Sequence, residues 1–124
     1  MKNIFYSEYK KMKNKRELGQ IGEELVIGYY EERGYEILET NYTIPGGELD
    51  VIAQKNGEIV FVEAKVVDHI DDLMWYIKPQ KLKFLEKTIQ DYMYKKNLDF
   101  DVRLDVAFVK YNSILEVFEN VTNS

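Results

Sequence analysis

One dipeptide constrains this chain more than any other. Asn56-Gly57 sits between two runs of alternating character, 48–54 and 59–67. A two-residue type I′ turn needs positive φ at both central positions, and Asn-Gly is the pair that meets this most readily. With those residues as the loop, the register is fixed: Lys55 faces Glu58, Ile52 faces Phe61, Asp50 faces Glu63 and Glu48 faces Lys65. Successive side chains point to opposite faces of a strand. Leu49, Val51, Ala53, Val60, Val62 and Ala64 then share one wholly apolar face. The other face is apolar near the turn, at Ile52 and Phe61, and then changes to Asp50, Glu63, Glu48 and Lys65. Asp50 and Glu63 fall on a non-hydrogen-bonded step, with Cα atoms expected about 4.5 Å apart. Like charges directly opposite one another destabilise a sheet. A shared proton or a cation offsets that repulsion, and a hard divalent metal suits oxygen ligands. The bland alternative is a salt-bridged ladder in which Lys65 neutralises Glu48 and Glu63.

The rest of the chain frames this hairpin. Leu18, Ile21, Leu25 and Tyr29 form a stripe at helical spacing, which predicts a helix over 17–33 with Gly34 as its stop. Tyr35, Ile37, Leu38, Tyr42 and Ile44 predict a strand within 35–44, ended by Pro45-Gly46-Gly47. Pro79 suits the first turn of a second helix running to about Lys96, with Leu82, Leu85, Ile89 and Met93 turned inward. Strands follow at 102–110 and 114–118, joined by a turn at Tyr111-Asn112-Ser113. The order α-β-β-β-α-β-β predicts a mixed α/β (α+β) fold: a central five-stranded mixed sheet flanked by helices. The 124 residues suit a single domain, with 1–16 as a basic N-terminal arm.

Charge is distributed unevenly. The net charge is −5, yet residues 1–16 carry six cations against Glu8, and residues 78–96 carry six lysines against Glu86 and Asp91. Two basic segments on an acidic remainder suit a chain that meets a polyanion through the former and a metal through the latter; solvated helix faces are the structural alternative. With no cysteine and one histidine, disulfides, thiolate zinc sites and cysteine nucleophiles are excluded. No apolar run approaches the roughly 20 residues of a membrane span, so no membrane role is expected. The cysteine-free composition fits a cytoplasmic location. His69 reads as an exposed loop residue, and Leu73-Met74-Trp75-Tyr76 as a hydrophobic plug at the sheet edge. Gly19, Gly22 and Glu23 lie on one helical face. Helix glycines cost about 1 kcal/mol each relative to alanine, a cost that close approach to the sheet would explain.

Asp50 followed by Glu63-Ala64-Lys65 resembles the active-site motif of the PD-(D/E)XK nuclease superfamily. The longer string is more specific. Arg16-x-x-Gly19-x-x-Gly22-Glu23, Gly34-Tyr35-x-Ile37-Leu38-x-x-Asn41, Gly47-Glu48-Leu49-Asp50-x-Ile52-Ala53 and Val60-Phe61-Val62-Glu63-x-Lys65 are similar to the YraN family, small bacterial proteins related to archaeal-type Holliday junction resolvases. The resemblance covers 16–67 and continues loosely through Lys81 and Arg103-Leu104-Asp105-Val106. The chain departs from that family at Thr43 and Val67, where basic residues are usual.

The resemblance implies a restriction-endonuclease-like core and an endonuclease that uses Mg²⁺ or Mn²⁺ to hydrolyse DNA phosphodiester bonds, with branched DNA among the expected substrates. By motif match, Asp50 and Glu63 would be metal ligands together with the backbone carbonyl of Ala64, and Lys65 would hold the attacking water. Glu23 would add a carboxylate from the first helix, and Glu48 would lie just outside the metal shell. Lys78 and Lys81 at the second helix start, with Lys15 and Arg16 from the arm, are the expected nucleic-acid contacts. A homodimer is compatible with this pattern. Two alternatives stay open: a non-cleaving nucleic-acid-binding module that keeps the fold, and a protein-interaction domain whose acidic cluster is purely structural.

Overall fold

The computed structural model describes residues 15–67, 78–110 and 113–121. Helix α1 spans Lys15–Glu32, and strands β1 (Glu36–Ile44), β2 (Gly47–Lys55) and β3 (Glu58–Val66) follow. Helix α2 spans Pro79–Lys95, and β4 (Asp101–Lys110) and β5 (Ser113–Phe118) follow as the last of the described elements. The five strands lie side by side in sequence order. All neighbours are antiparallel except β3 and β4, whose parallel pairing requires the crossover that α2 supplies. This is the mixed sheet between two helices that the order of elements predicts, and it has the restriction-endonuclease-like arrangement. Among the described residues, no helix is long and apolar enough to cross a membrane.

Each face of the sheet buries its own core. On the α1 side, Val26 and Tyr30 pack on Val51, Val60, Val62, Ala107 and Val109. On the α2 side, Leu85, Ile89 and Tyr92 pack on Leu49, Ile52, Ile59, Phe61 and Leu104. The buried stripe of α1 is Gly22-Val26-Tyr30, one position on from the expected stripe, whose members Leu25 and Tyr29 lie at its margin. The glycine makes this possible. A Cβ on Gly22 would stand 3.3 Å from Val66 Cγ2, so its absence lets α1 lie close on β3. Gly19 meets nothing within 4 Å, and the close approach expected of both glycines belongs to Gly22 alone.

The hairpin has the expected turn and register. Asn56 and Gly57 take φ of 52° and 81°, and the pairs run from Lys55↔Glu58 to Val51↔Val62. There the ladder ends, one step before Asp50 and Glu63. The alternation of faces also breaks at this point. Leu49 clusters with Ile52 on the α2 side rather than with Val51 and Ala53, and a Cβ on Gly47 would lie against Thr88 Oγ1 of α2. The cause is in β1. Thr40 pairs with Val51 and Tyr42 with Leu49, so the step between them sets Asn41 against Asp50, and Asn41 has φ of 54°. A left-handed residue turns the strand over, and asparagine is one of the few non-glycine residues that tolerates that conformation. β1 and β2 thus switch faces together at Asn41 and Asp50, which corrects the uniform face expected for Leu49 through Ala53.

The arm at 1–14, the side chains of Lys15 and Arg16, His69, the 73–76 segment and the turn residues 111–112 lie outside the described residues. Val67 is buried against Val106 and Phe108, so a basic side chain would have no water to reach there.

Candidate active site

The break in β2 and β3 builds a site from main chain as well as side chains. In a continued ladder the Ala64 N–H would be directed at the main chain of β2. It donates instead to Asp50 Oδ2 at 2.7 Å. A strand residue's N–H and C=O point to the same side, so Ala64 presents its carbonyl on the side where the Asp50 carboxylate sits. Asp50 is partly buried, and burial first, then the charge of Glu63, push its carboxyl up to about 7, against the pull of the Ala64 hydrogen bond. Glu23 and Glu48 add smaller repulsions. The electrostatic cost expected of Asp50 beside Glu63 is therefore present although the two do not form a paired step.

Glu63 is buried, and its partner is not the lysine on its own strand. Lys81 reaches from the first turn of α2 and places Nζ 3.1 Å from Glu63 Oε2. Lys65 makes no hydrogen bond or ion pair among the described residues. It lines an open cleft of about 290 Å³ with Lys78, Gln80, Lys81 and Phe84. A ladder in which Lys65 neutralises Glu48 and Glu63 is thus absent. Glu48 is exposed and pairs in register with Thr43, while Lys65 pairs with Phe108.

Glu23 has its hydrogen-bond partner on β1. Its Oε1 accepts a hydrogen bond from Asn41 Nδ2 at 3.1 Å, and burial raises its carboxyl, with that bond opposing and Glu48 assisting. Among the described residues no three aspartate, glutamate, histidine or cysteine side chains converge as a metal-binding group. The donors at hand are two carboxylates and a main-chain carbonyl. Such a set fits Mg²⁺, which keeps several of its waters and takes few protein ligands.

Asn41 is the residue whose role the pattern concealed. It turns both strands at the site and holds Glu23. Its place in the Gly34…Asn41 string and the tolerance of asparagine for positive φ were the available signals.

In this mixed five-stranded sheet, Asp50 and then Glu63-Ala64-Lys65 stand at a break in the central hairpin. The sequence profile of the uncharacterised protein family UPF0102 matches residues 22–109. A UPF0102 protein of Flavobacterium psychrophilum is 37% identical over 100 residues, 79% of this chain and 84% of the relative. One from Helicobacter pylori is 38% identical over 107 residues, 86% of this chain and 92% of the relative. One from Flavobacterium johnsoniae is 31% identical over 119 residues, 91% and 97% of the two chains. The chain belongs to the UPF0102 (YraN) family.

Proposed function

We propose that this protein is a divalent-metal-dependent endonuclease that hydrolyses DNA phosphodiester bonds. One observation carries the proposal: Asp50 is held half-buried against the charge of Glu63, with a single backbone N–H as its own donor and no cation among the described residues bonded to it. A protein keeps such an arrangement at a cost to its stability, and functional sites are where such costs concentrate.

Asp50, Glu63 and the Ala64 carbonyl would hold Mg²⁺ or Mn²⁺. The ion would supply positive charge for a phosphate oxygen and make an attacking water more acidic. Lys65, two residues beyond Glu63 on the same strand face, keeps its ammonium free to donate to that water or to a phosphate oxygen. Lys78 at the start of α2 offers a phosphate contact across the cleft, and the half-exposed ring of Phe84 forms part of its wall. In the hydrolysis the water oxygen bonds to phosphorus, the bond to the leaving sugar oxygen breaks, and a proton returns to that oxygen.

One observation favours a second reading, a non-cleaving nucleic-acid-binding module: Lys81 already neutralises Glu63 with no metal. Cleavage of duplex, single-stranded and branched DNA in Mg²⁺ and Mn²⁺ separates the two. The endonuclease cleaves at least one substrate, and Asp50→Asn and Lys65→Ala abolish cleavage. Metal binding with no cleavage of any substrate would overturn the enzyme in favour of the module.

A further inference from the structure

Of two neighbouring carboxylates only Glu63 has a cation beside it among the described residues, and that cation comes from α2. Glu63 has a side chain only 8% exposed, and Lys81 is its ion-pair partner. Asp50 has the Ala64 N–H and no ammonium. Lys65 is closer in sequence to Glu63 than Lys81 is, yet it stays in the cleft. A buried carboxylate left without a partner is strongly unfavourable, so Lys81 supplies the counter-charge of Glu63 and holds it in place.

We propose that Lys81 is a counter-ion latch: Glu63 exchanges the Lys81 ammonium for the divalent cation, and the released lysine becomes a phosphate grip in the cleft it already lines. The inference rests on the metal-dependent reading above. Its chemical basis is competition. An ammonium 3.1 Å from Glu63 Oε2 and a divalent ion held by the same carboxylate repel each other, so one displaces the other. The lysine can leave, because its side chain is 39% exposed and borders the open cleft. Its destination holds Lys65 and Lys78, which an anion must neutralise if a third ammonium is to join them. Metal and DNA phosphate therefore favour each other's binding, since coupling between two sites is reciprocal. Lys81 thereby acts through Glu63 as a positioning residue for the metal and directly as a contact for the substrate.

Calorimetric titration of Mn²⁺ into metal-free protein, without DNA, tests the latch. Lys81→Met removes the competitor and is expected to bind Mn²⁺ about threefold to tenfold more tightly than the parent, the range of a partly exposed ion pair. Lys78→Met lines the same cleft without touching Glu63 and is expected to match the parent for Mn²⁺ while losing DNA affinity. Lys81→Arg keeps the charge and is expected to bind Mn²⁺ as the parent does. Lys81→Gln, closer in polarity, carries the same expectation as the methionine variant should that one fail to fold. Mn²⁺ affinity in both Lys81→Met and Lys81→Gln equal to or weaker than the parent's would overturn the latch while leaving the metal site standing. Absence of Mn²⁺ binding in the parent and every variant would overturn the metal-dependent reading and the latch with it.

Discussion

Asp105 and Asp50 belong to the same sheet, two strands apart, and both are withdrawn from water, but the chain treats them in opposite ways. Asp105 has no exposed surface, and four hydrogen bonds meet its two oxygens. Arg103 grips it bidentately through Nε and Nη2 at 2.9 Å each, Tyr30 donates its hydroxyl from α1, and the Asn120 amide donates from beyond β5. Asp50 has one N–H and three nearby carboxylates that repel it. A buried charge that is paired and fully hydrogen-bonded is structural: it ties α1, β4 and the chain end together. A carboxylate left short of cations within the same fold is one that a cation can stabilise. The contrast separates the two roles without reference to sequence motifs.

The largest expected effect comes from making Asp105 resemble Asp50. Arg103→Met removes the guanidinium and leaves a buried carboxylate with no counter-charge, and is expected to cost about 3 to 5 kcal/mol of unfolding free energy in urea titration. Asp50→Asn is the mirror experiment. It keeps an oxygen for the Ala64 N–H and removes the repulsion, so the metal-free variant is expected to be as stable as the parent or more so. A loss of stability in Asp50→Asn as large as that in Arg103→Met would dissolve the comparison.

The next effect is in pH. Asp50 is raised from 3.8 to about 7 by burial and by Glu63, so the folded metal-free protein holds this proton more tightly than the unfolded chain does. The stabilising contribution is complete below the unfolded value and is lost as pH rises through the folded one. Between about pH 5 and about pH 8 the parent is expected to lose on the order of 2 kcal/mol relative to Asp50→Asn in paired urea titrations. The charges that act on Asp50 are those of Glu63, Glu23 and Glu48. Parallel pH profiles for the two proteins would show that Asp50 is ordinary.

A smaller effect tests the hairpin that brings Asp50 near Glu63. Gly57 has φ of 81° and open space around its Cα, so a substitution there is resisted by backbone strain alone. Gly57→Val is expected to lower stability by about 1 to 2 kcal/mol in thermal unfolding, since a β-branched side chain resists positive φ. A variant as stable as the parent would mean that the turn does not set the register.

The elements and the hairpin register were legible because they rest on local chemistry: Asn56-Gly57 needs only its own backbone preference, and Pro79 opens α2 on its own account. The face switch at Leu49 was not legible. Period-two alternation carries no trace of a left-handed residue on the neighbouring strand, and Asn41 reveals itself only once Thr40↔Val51 and Tyr42↔Leu49 are paired. The partner of Glu63 was hidden for a similar reason. Lys65 lies two residues away and Lys81 eighteen, and only the crossover from β3 through α2 brings the latter to the carboxylate. The α1 stripe slipped by one because Gly22 offers no hydrophobic signal, yet its missing side chain decides which face lies on the sheet. Asp50, Glu63 and Lys65 could be named from spacing; which cation sits on which carboxylate required the packed structure.

The central claim is the proposal that Asp50 and Glu63 together hold a divalent cation. The most direct measurement is calorimetric titration of Mn²⁺ into the metal-free parent and Asp50→Asn, at about pH 8 where Asp50 is ionised. The parent is expected to bind about one Mn²⁺, with a rise in melting temperature because the ion binds only the folded state. Asp50→Asn is expected to bind at least about tenfold more weakly, a change of about 1.4 kcal/mol. No binding by the parent, or equal binding by the two proteins, would contradict the claim.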